Sequence, residues 1–444
     1  MGKQNKGRVA SATSKSKNQR IWLILIPALA FFIKMIVMAN TTNGGWPGAD
    51  GENYLTAVDG LRTDGFFSDV RNLHYWPAGY SVFIWPLTLI SVNNFLYFIS
   101  IIQGLLFAYS TFLFTSQLLR TRVAFLAVAT SFIISINPTL SLSSNVIGYE
   151  TPVAGLLLLS IGLLLKDRIE NPDNFSFKLV VFSGLAMGIS CFFQPRILLF
   201  AVGTILVYTL SISGKKARLK FAALSLIVLM ISPAALVARN FTAIGSATLS
   251  TNLGTTIFIG IGDGATGGYN NKYNGVPCPA AEKGTEAQVD SAKVKCAISW
   301  YVNNPTKTIA LAAKKSIFFW SPWFGPAANG TMARNPWLLI NPIKNGIKTQ
   351  ETYNTVYGPV GKFVSWSWIF GQISLLLYGF IWLWRLGGTE KLIAKLTFVP
   401  IFLGWLISAG TIGDHRFRIP QMGLSLFLQV VGLFAVKKKL SKAL

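Results

Sequence analysis

Apolar residues along this chain fall into long blocks rather than into an alternating pattern. The blocks run from Ile21 to Met38, Phe95 to Leu119, Val123 to Ile136, Pro152 to Leu165, Leu179 to Phe193, Ile197 to Ile212, Phe221 to Val237, Phe363 to Trp384, Leu396 to Ala409 and Ile419 to Val436. Crossing a bilayer takes about 20 mainly apolar residues per helix. The pattern therefore predicts an all-α polytopic membrane protein with about ten transmembrane helices. A shorter run, Tyr80 to Ile90, reads as a half-inserted lead-in to the second span. Two polar stretches interrupt the series, residues 40–79 and 239–362, both rich in Gly and Asn.

Composition agrees with the pattern. The 444 residues are 52% hydrophobic and 13% charged, with a mean hydropathy of +0.48. A soluble domain carries charge on nearer a quarter of its residues. The net charge of +24 raises nucleic acid as a partner, but the basic residues sit in short clusters between apolar blocks. These clusters are Lys3 to Arg20, Arg120 with Arg122, Lys166 with Arg168, Lys215 to Lys220, Arg385 to Lys395, and Lys437 to Lys442. Short Lys- and Arg-rich loops stay in the cytoplasm and orient the helices. Threading the spans in order puts every cluster on one side with both termini, so no nucleic-acid role is expected.

Four regions follow. Residues 1–20 form a basic cytoplasmic tail that reads as disordered. Residues 21–238 form a transmembrane module with a first external loop at 40–79. Residues 239–362 form an external region with interfacial helices, and 363–444 the last transmembrane helices and a second basic tail. The first apolar block is longer than a signal-peptide core and lacks a small-residue cleavage site, so it reads as a span. Cys191 lies in an apolar block. Cys278 and Cys296 share one polar stretch, where a disulfide and two free thiols are both open.

Five of the 16 acidic residues, Asp50, Glu52, Asp59, Asp64 and Asp69, crowd the first external loop. Asp50 stands just beyond a span, where a carboxylate can take a proton from an attacking hydroxyl or amine. Glu52 can assist, or raise its neighbour's pKa by like-charge repulsion. The plainer alternatives are a solvated loop and a helix cap. Tyr54, Leu55, Ala57, Val58 and Leu61 recur at helical spacing, which predicts a short amphipathic helix beginning near Asp50. A second group, Gly413-Asp414-His415-Arg416-Phe417-Arg418-Ile419-Pro420, stands at the outer mouth of the last span. Guanidinium groups pair bidentately with phosphate oxygens, which makes His415, Arg416 and Arg418 candidate phosphate ligands, with topological anchoring as the alternative. Arg196 and Arg239 are likewise on the outer side, against the positive-inside trend. Glu150 begins a helix and reads either as a cap or as a substrate contact. Lys34 is expected to snorkel to the interface. His74 and His415 are too few for a histidine-rich metal site, and no phosphate-binding loop or dinucleotide fingerprint occurs.

These stretches together resemble the C-type glycosyltransferase superfamily, in particular the bacterial branch that includes protein O-mannosyltransferases and the lipid A aminoarabinose transferase. Asp50 through Leu55 with Ala57, Gly65-Phe66-Phe67-Ser68, and Trp76-Pro77-Ala78-Gly79-Tyr80 are similar to the family's first-loop pattern. So are Tyr149-Glu150-Thr151-Pro152, then Arg239-Asn240-Phe241 with Leu249 to Gly254, Ile259-Gly260, Trp300-Tyr301-Val302, Asn304-Pro305 and Lys314 to Trp320, and finally Arg416 to Pro420. Where many relatives carry paired Asp-Glu, this chain reads Asp50-Gly51-Glu52, and its Pro-Gly-Tyr element is Pro77-Ala78-Gly79-Tyr80.

The resemblance implies a helical bundle with a small external face and inverting sugar transfer from a polyprenyl-phosphate donor. The acceptor would be a glycolipid, a cell-surface glycan or a protein. It also implies Asp50, with Glu52, as the catalytic residues. Arg196, Arg239, His415, Arg416 and Arg418 would hold the donor phosphate, and Tyr54, Tyr80 and Glu150 would contact substrate, with no metal and no cofactor. The bacterial cytoplasmic membrane is the expected location. The alternatives are a transporter or flippase of a lipid-linked glycan, which the scarcity of charge inside the spans disfavours, and a non-catalytic scaffold.

Overall fold

A computed structural model describes residues 3–40, 50–91, 93–269, 274–321 and 358–441, with side chains described from residue 18 onward. Parts of the expected external stretches, residues 41–49 and 322–357, lie outside the described residues, as does Lys442 of the last basic cluster. Among the described residues all regular structure is helical. The first half comprises α1 (Lys3–Ala39), α2 (Gly51–Thr63), α3 (Ala78–Ile90), α4 (Phe95–Leu118), α5 (Ala127–Ile136), α6 (Pro138–Ser143), α7 (Glu150–Glu170) and α8 (Phe177–Phe193). The second half comprises α9 (Ile197–Ser211), α10 (Lys215–Ile244), α11 (Leu253–Ile259), α12 (Glu286–Asn303), α13 (Pro305–Trp320), α14 (Pro359–Leu386), α15 (Gly388–Gly410) and α16 (Ile419–Leu440).

The chain is a multi-pass helical membrane protein. Six segments among the described residues are long and apolar enough to cross a membrane, in α1, α4, α10, α14, α15 and α16. Of the about ten spans expected from the apolar blocks, these six meet both length and composition. The blocks at α3, α5, α8 and α9 form apolar helices of only 10–17 residues. The block from Val123 breaks into a 3-10 turn at Ala124–Leu126 before α5 begins. The basic tail is helical from Lys3 instead of disordered, because Lys, Arg, Gln and Ala are good helix formers and no proline precedes Pro27. The span ending near Val237 continues to Ile244, so Arg239 belongs to a helix and not to a loop.

α4 packs along α7, and α14 along α16, with α8 between α7 and α10. In α16 67% of the most apolar window is buried against 28% in α1, so the last helix is central and the first peripheral. α14 and α16 touch backbone to backbone at Gly379 and Gly432. A Cβ at either position would run into the carbonyl of Leu428 or Leu375, so glycine is required for this approach. Side chains left on the outside are large and apolar, such as Trp22, Phe32, Leu210 and Phe370, as a lipid-facing surface demands.

Lys34 does not snorkel. It is 2% exposed and donates to the Ser100 carbonyl at 2.6 Å and to the Ser100 and Ser144 hydroxyls at 3.0 and 2.9 Å. Three acceptors match its three protons, and the lysine ties α1 to α4 and the segment after α6. At one end of the bundle Arg120 pairs with Glu170, and Glu390 accepts from the Arg122 backbone. At the other end lie α2, α11 to α13, and the turns before α7, α9 and α16, which together build the candidate site.

Candidate active site

Asp50 stands at the N-cap of α2, but its carboxylate makes no capping hydrogen bond. It accepts instead from Nη1 of Arg416. Arg416 lies on the 3-10 turn His415–Arg418 that leads into α16, and the Asp414 carboxylate caps this turn by accepting from the Arg416 backbone at 2.8 Å. Nε of the same guanidinium donates to Glu150, the first residue of α7. Two acids one hundred positions apart therefore meet on one arginine from the far end of the chain. The side chains of Asp50, Glu150 and Arg416 are 13%, 10% and 18% exposed, so the group is largely withdrawn from water. Removing one partner of a buried ion pair costs about 3–5 kcal/mol, because the other charge is stranded.

The helix that carries Asp50 follows from its sequence. Tyr54, Ala57, Val58 and Leu61 form one face and are all buried, and Gly65, at φ 85°, turns the chain out of the helix where a side chain would be strained. The cap alternative for Asp50 is not realised. Glu150 lies one residue inside α7, whose N-cap is Tyr149.

A second cation adjoins the first. Arg196, after Gln194-Pro195 at the start of α9, donates from Nη2 to the Tyr149 hydroxyl at 2.7 Å and lies 3.8 Å from the Phe417 ring centre. The Tyr149 ring also faces Arg416 at 5.4 Å. Burial raises the Tyr149 phenol above its usual pKa against the opposing pull of Arg196 and Arg416, so it stays protonated between them. Burial likewise holds the Tyr54 phenol well above the usual range, with Arg416 opposing. Tyr54 meets Tyr80 edge to face at 4.8 Å. Tyr80 is fully buried, donates to Gln103 at 3.0 Å and accepts from the Gly148 backbone at 2.8 Å. It braces the turn that presents Tyr149 and Glu150.

The remaining residues singled out by the sequence are placed apart from the ion pairs. Arg239 is buried, donating from Nε to the Phe66 carbonyl at 2.9 Å, from Nη2 to that of Ser68, and from Nη1 to the Asn240 side chain at 2.7 Å. These groups belong to the first loop and to α10, so Arg239 clamps the loop to that helix. Arg418 donates to Gln372 at 2.6 Å and lies 5.6 Å from the Trp320 ring centre. Nδ1 of His415 is 2.9 Å from the Ser321 carbonyl. Glu52 is exposed on the first turn of α2, outside the Arg416 ion pairs.

Sequence reasoning missed the roles of Tyr149, Gln103, Gln372 and Trp320. Tyr149 alone carried a local signal, its place beside Glu150. It also missed the polar seam that joins the first loop to α11 and α12. There Arg71 pairs with Glu286 at 2.6 Å, and the Thr251 backbone donates to the His74 carbonyl at 2.8 Å. Asp290 accepts from the Gly254 and Thr255 backbones at 2.7 and 3.4 Å, capping α11. Cys278 and Cys296 are disulfide-bonded, tying the segment before α12 to that helix.

Among the described residues no three His, Cys, Asp or Glu side chains converge as a metal site.

No family model matches the chain, and no curated protein matches it. Solved structures do. The archaeal oligosaccharyltransferase AglB of Archaeoglobus fulgidus, in complex with an inhibitory peptide and a dolichol-phosphate, is 12% identical with a TM-score of 0.50, over 96% of this chain and 51% of that one. The oligosaccharyltransferase of the same organism tethered to an acceptor peptide containing the NVT sequon is 11% identical with a TM-score of 0.51, over 95% of this chain and 50% of that one. Its apo form is 13% identical with a TM-score of 0.50. The likeness is one of fold. These neighbours are oligosaccharyltransferases, and the chain spans about half the length of the solved chains it matches.

Proposed function

We propose that this chain is a membrane glycosyltransferase that moves a hexose or pentose from a polyprenyl-phosphate donor to a glycolipid, cell-surface glycan or protein. The site would face outward from a bacterial cytoplasmic membrane, with both termini inside and the shorter apolar helices completing about ten spans. The observation that carries this reading is the meeting of Asp50 and Glu150 on Arg416, with Arg196 alongside, at one end of an apolar bundle. Acids beside cations at a membrane surface suit a reaction that removes a proton and expels a phosphate.

In the proposed reaction Asp50 takes the proton of the acceptor hydroxyl or amine while that atom bonds to the anomeric carbon. The bond from that carbon to the phosphate oxygen breaks with inversion, and polyprenyl phosphate leaves with its charge against Arg416 and Arg196. Glu150 holds Arg416 from the other side, and Tyr149 holds Arg196. His415 and Arg418, on the turn that carries Arg416, line the donor's approach, while Tyr54 and Tyr80 back the ion pairs from the buried side. The carrier's apolar tail would lie among the outward-facing side chains. Support also comes from fold likeness to an archaeal oligosaccharyltransferase solved in complex with a dolichol-phosphate.

The test is transfer from a radiolabelled polyprenyl-phosphate sugar by purified protein. Asp50→Asn is expected to lower kcat by about 10²–10⁴-fold, the usual contribution of a positioned base, with the protein still folded and inserted. Full activity in that variant removes Asp50 from this role. A sugar–phosphate bond left intact by the native chain would favour a transporter instead.

A further inference from the structure

Arg416 offers two edges on which an oxoanion can be held by a pair of parallel N–H groups. One edge is formed by Nε and Nη2, the other by Nη1 and Nη2. In this structure Nε is given to Glu150 and Nη1 to Asp50, so each edge is half taken by a carboxylate. A phosphate can therefore hold Arg416 by a full fork only where one carboxylate gives way. The two are not equally placed. Glu150 belongs to α7, which packs along α4, and the turn before it is pinned by the Tyr80 hydroxyl on the Gly148 backbone at 2.8 Å. Asp50 stands at the tip of α2, at an N-cap position its side chain leaves unfilled.

We infer that the donor phosphate and Asp50 compete for Arg416, so that the Asp50–Arg416 pair masks the base and donor binding uncovers it. This inference rests on the donor chemistry proposed above. A carboxylate bonded to a guanidinium is a weak base, since the cation stabilises its charged form. Once a phosphate takes Nη1 and Nη2, the Asp50 carboxylate turns either to the unfilled cap of α2 or to the acceptor. Arg416 thereby orders the reaction: the acceptor is activated only after a leaving group is in place. Glu150 stays on Nε throughout and keeps the guanidinium aimed. Arg416 is a binding and positioning residue in this scheme, and the proton still goes to Asp50.

The experiment uses the full chain in lipid nanodiscs and a polyprenyl monophosphate without sugar, titrated calorimetrically. Asp50→Asn is expected to bind this probe about tenfold more tightly than the native protein, because Arg416 is no longer shared. Asp50→Ala, which also removes the carboxylate, serves as a second variant should the first fail to insert. In the double variant Asp50→Asn with Arg416→Gln the gain disappears. Equal or weaker binding by both Asp50 variants overturns the competition while leaving the donor assignment standing. A gain that persists without Arg416 also overturns it, since removing a negative charge would then suffice. Absence of binding by native and variant proteins alike overturns the donor assignment itself.

Discussion

Arg239 and Arg416 are both withdrawn guanidiniums at the same end of the bundle, yet their surroundings set them to different work. Arg239 is met by two backbone carbonyls and an amide oxygen, all neutral and all fixed to the chain. Arg416 is met by two carboxylates from separate helices. Neutral carbonyls compete poorly for each other's place, and nothing diffusible replaces them, so Arg239 is a permanent tie between α10 and the first loop. Carboxylates can be exchanged for another oxoanion, because phosphate offers a guanidinium the same charge and fork. Burial alone does not tell a structural arginine from a functional one. The charge of what they touch is where these two differ.

Three substitutions press on this contrast. The largest effect is expected from Arg416→Gln, which strands two buried carboxylates. It should cost about 3–5 kcal/mol, read as a lowered unfolding temperature in detergent, and abolish transfer. An unchanged unfolding temperature would mean the ion pairs do not hold the fold together. Arg239→Lys comes next. Lysine cannot span three acceptors in a plane, so a loss of about 1–3 kcal/mol is expected, with faster proteolysis near Phe66 and Ser68. Its kinetic signature is a lower kcat at unchanged donor KM. A raised donor KM would put Arg239 among the phosphate ligands and erase the contrast.

The smallest effect concerns the far side of the Arg239 clamp, where His74 Nδ1 lies 3.2 Å from the Thr251 hydroxyl. Burial lowers its pKa from the ordinary 6.5, against the opposing pull of Glu286. The folded state thus binds the proton less readily than the unfolded state. Stability from this group is present above pH 6.5 and falls away as the pH drops below it, toward the depressed folded value. Hydrogen-exchange protection at Thr251, taken relative to the intrinsic exchange rate at each pH, should fall below that pH in the native chain, and His74→Gln should flatten the dependence. Equal pH dependence in both proteins would detach His74 from the clamp.

Much of this architecture was legible in the sequence because apolar blocks are a direct physical requirement. The blocks located the helices but not their lengths: Leu396–Ala409, a shorter block than Ile197–Ile212, lies in the 23-residue α15, whereas the latter gives only the 15-residue α9. Asp50, Glu150 and Arg416 could each be singled out as charge at a helix end. Their convergence could not, since it depends on how α2, α7 and α16 pack and no local pattern encodes that. The burial of Arg239 and of Lys34 escaped the sequence for one reason. A buried cation satisfied by carbonyls and hydroxyls looks, in sequence, the same as one waiting for a ligand or reaching for water.

α2 is held at both ends by these two arginines. Asp50 at its tip rests on Arg416, and Phe66 and Ser68, just past its end, rest on Arg239. Its 13 residues make a beam of about 20 Å, at roughly 1.5 Å per residue. Between the two supports the beam is seated: Tyr54, in its first turn, is buried against Tyr80, and the Tyr54 carbonyl accepts from the Ser81 hydroxyl at 3.3 Å. Release of Asp50 under the scheme proposed above therefore asks for a turn of one side chain and leaves the helix where it lies.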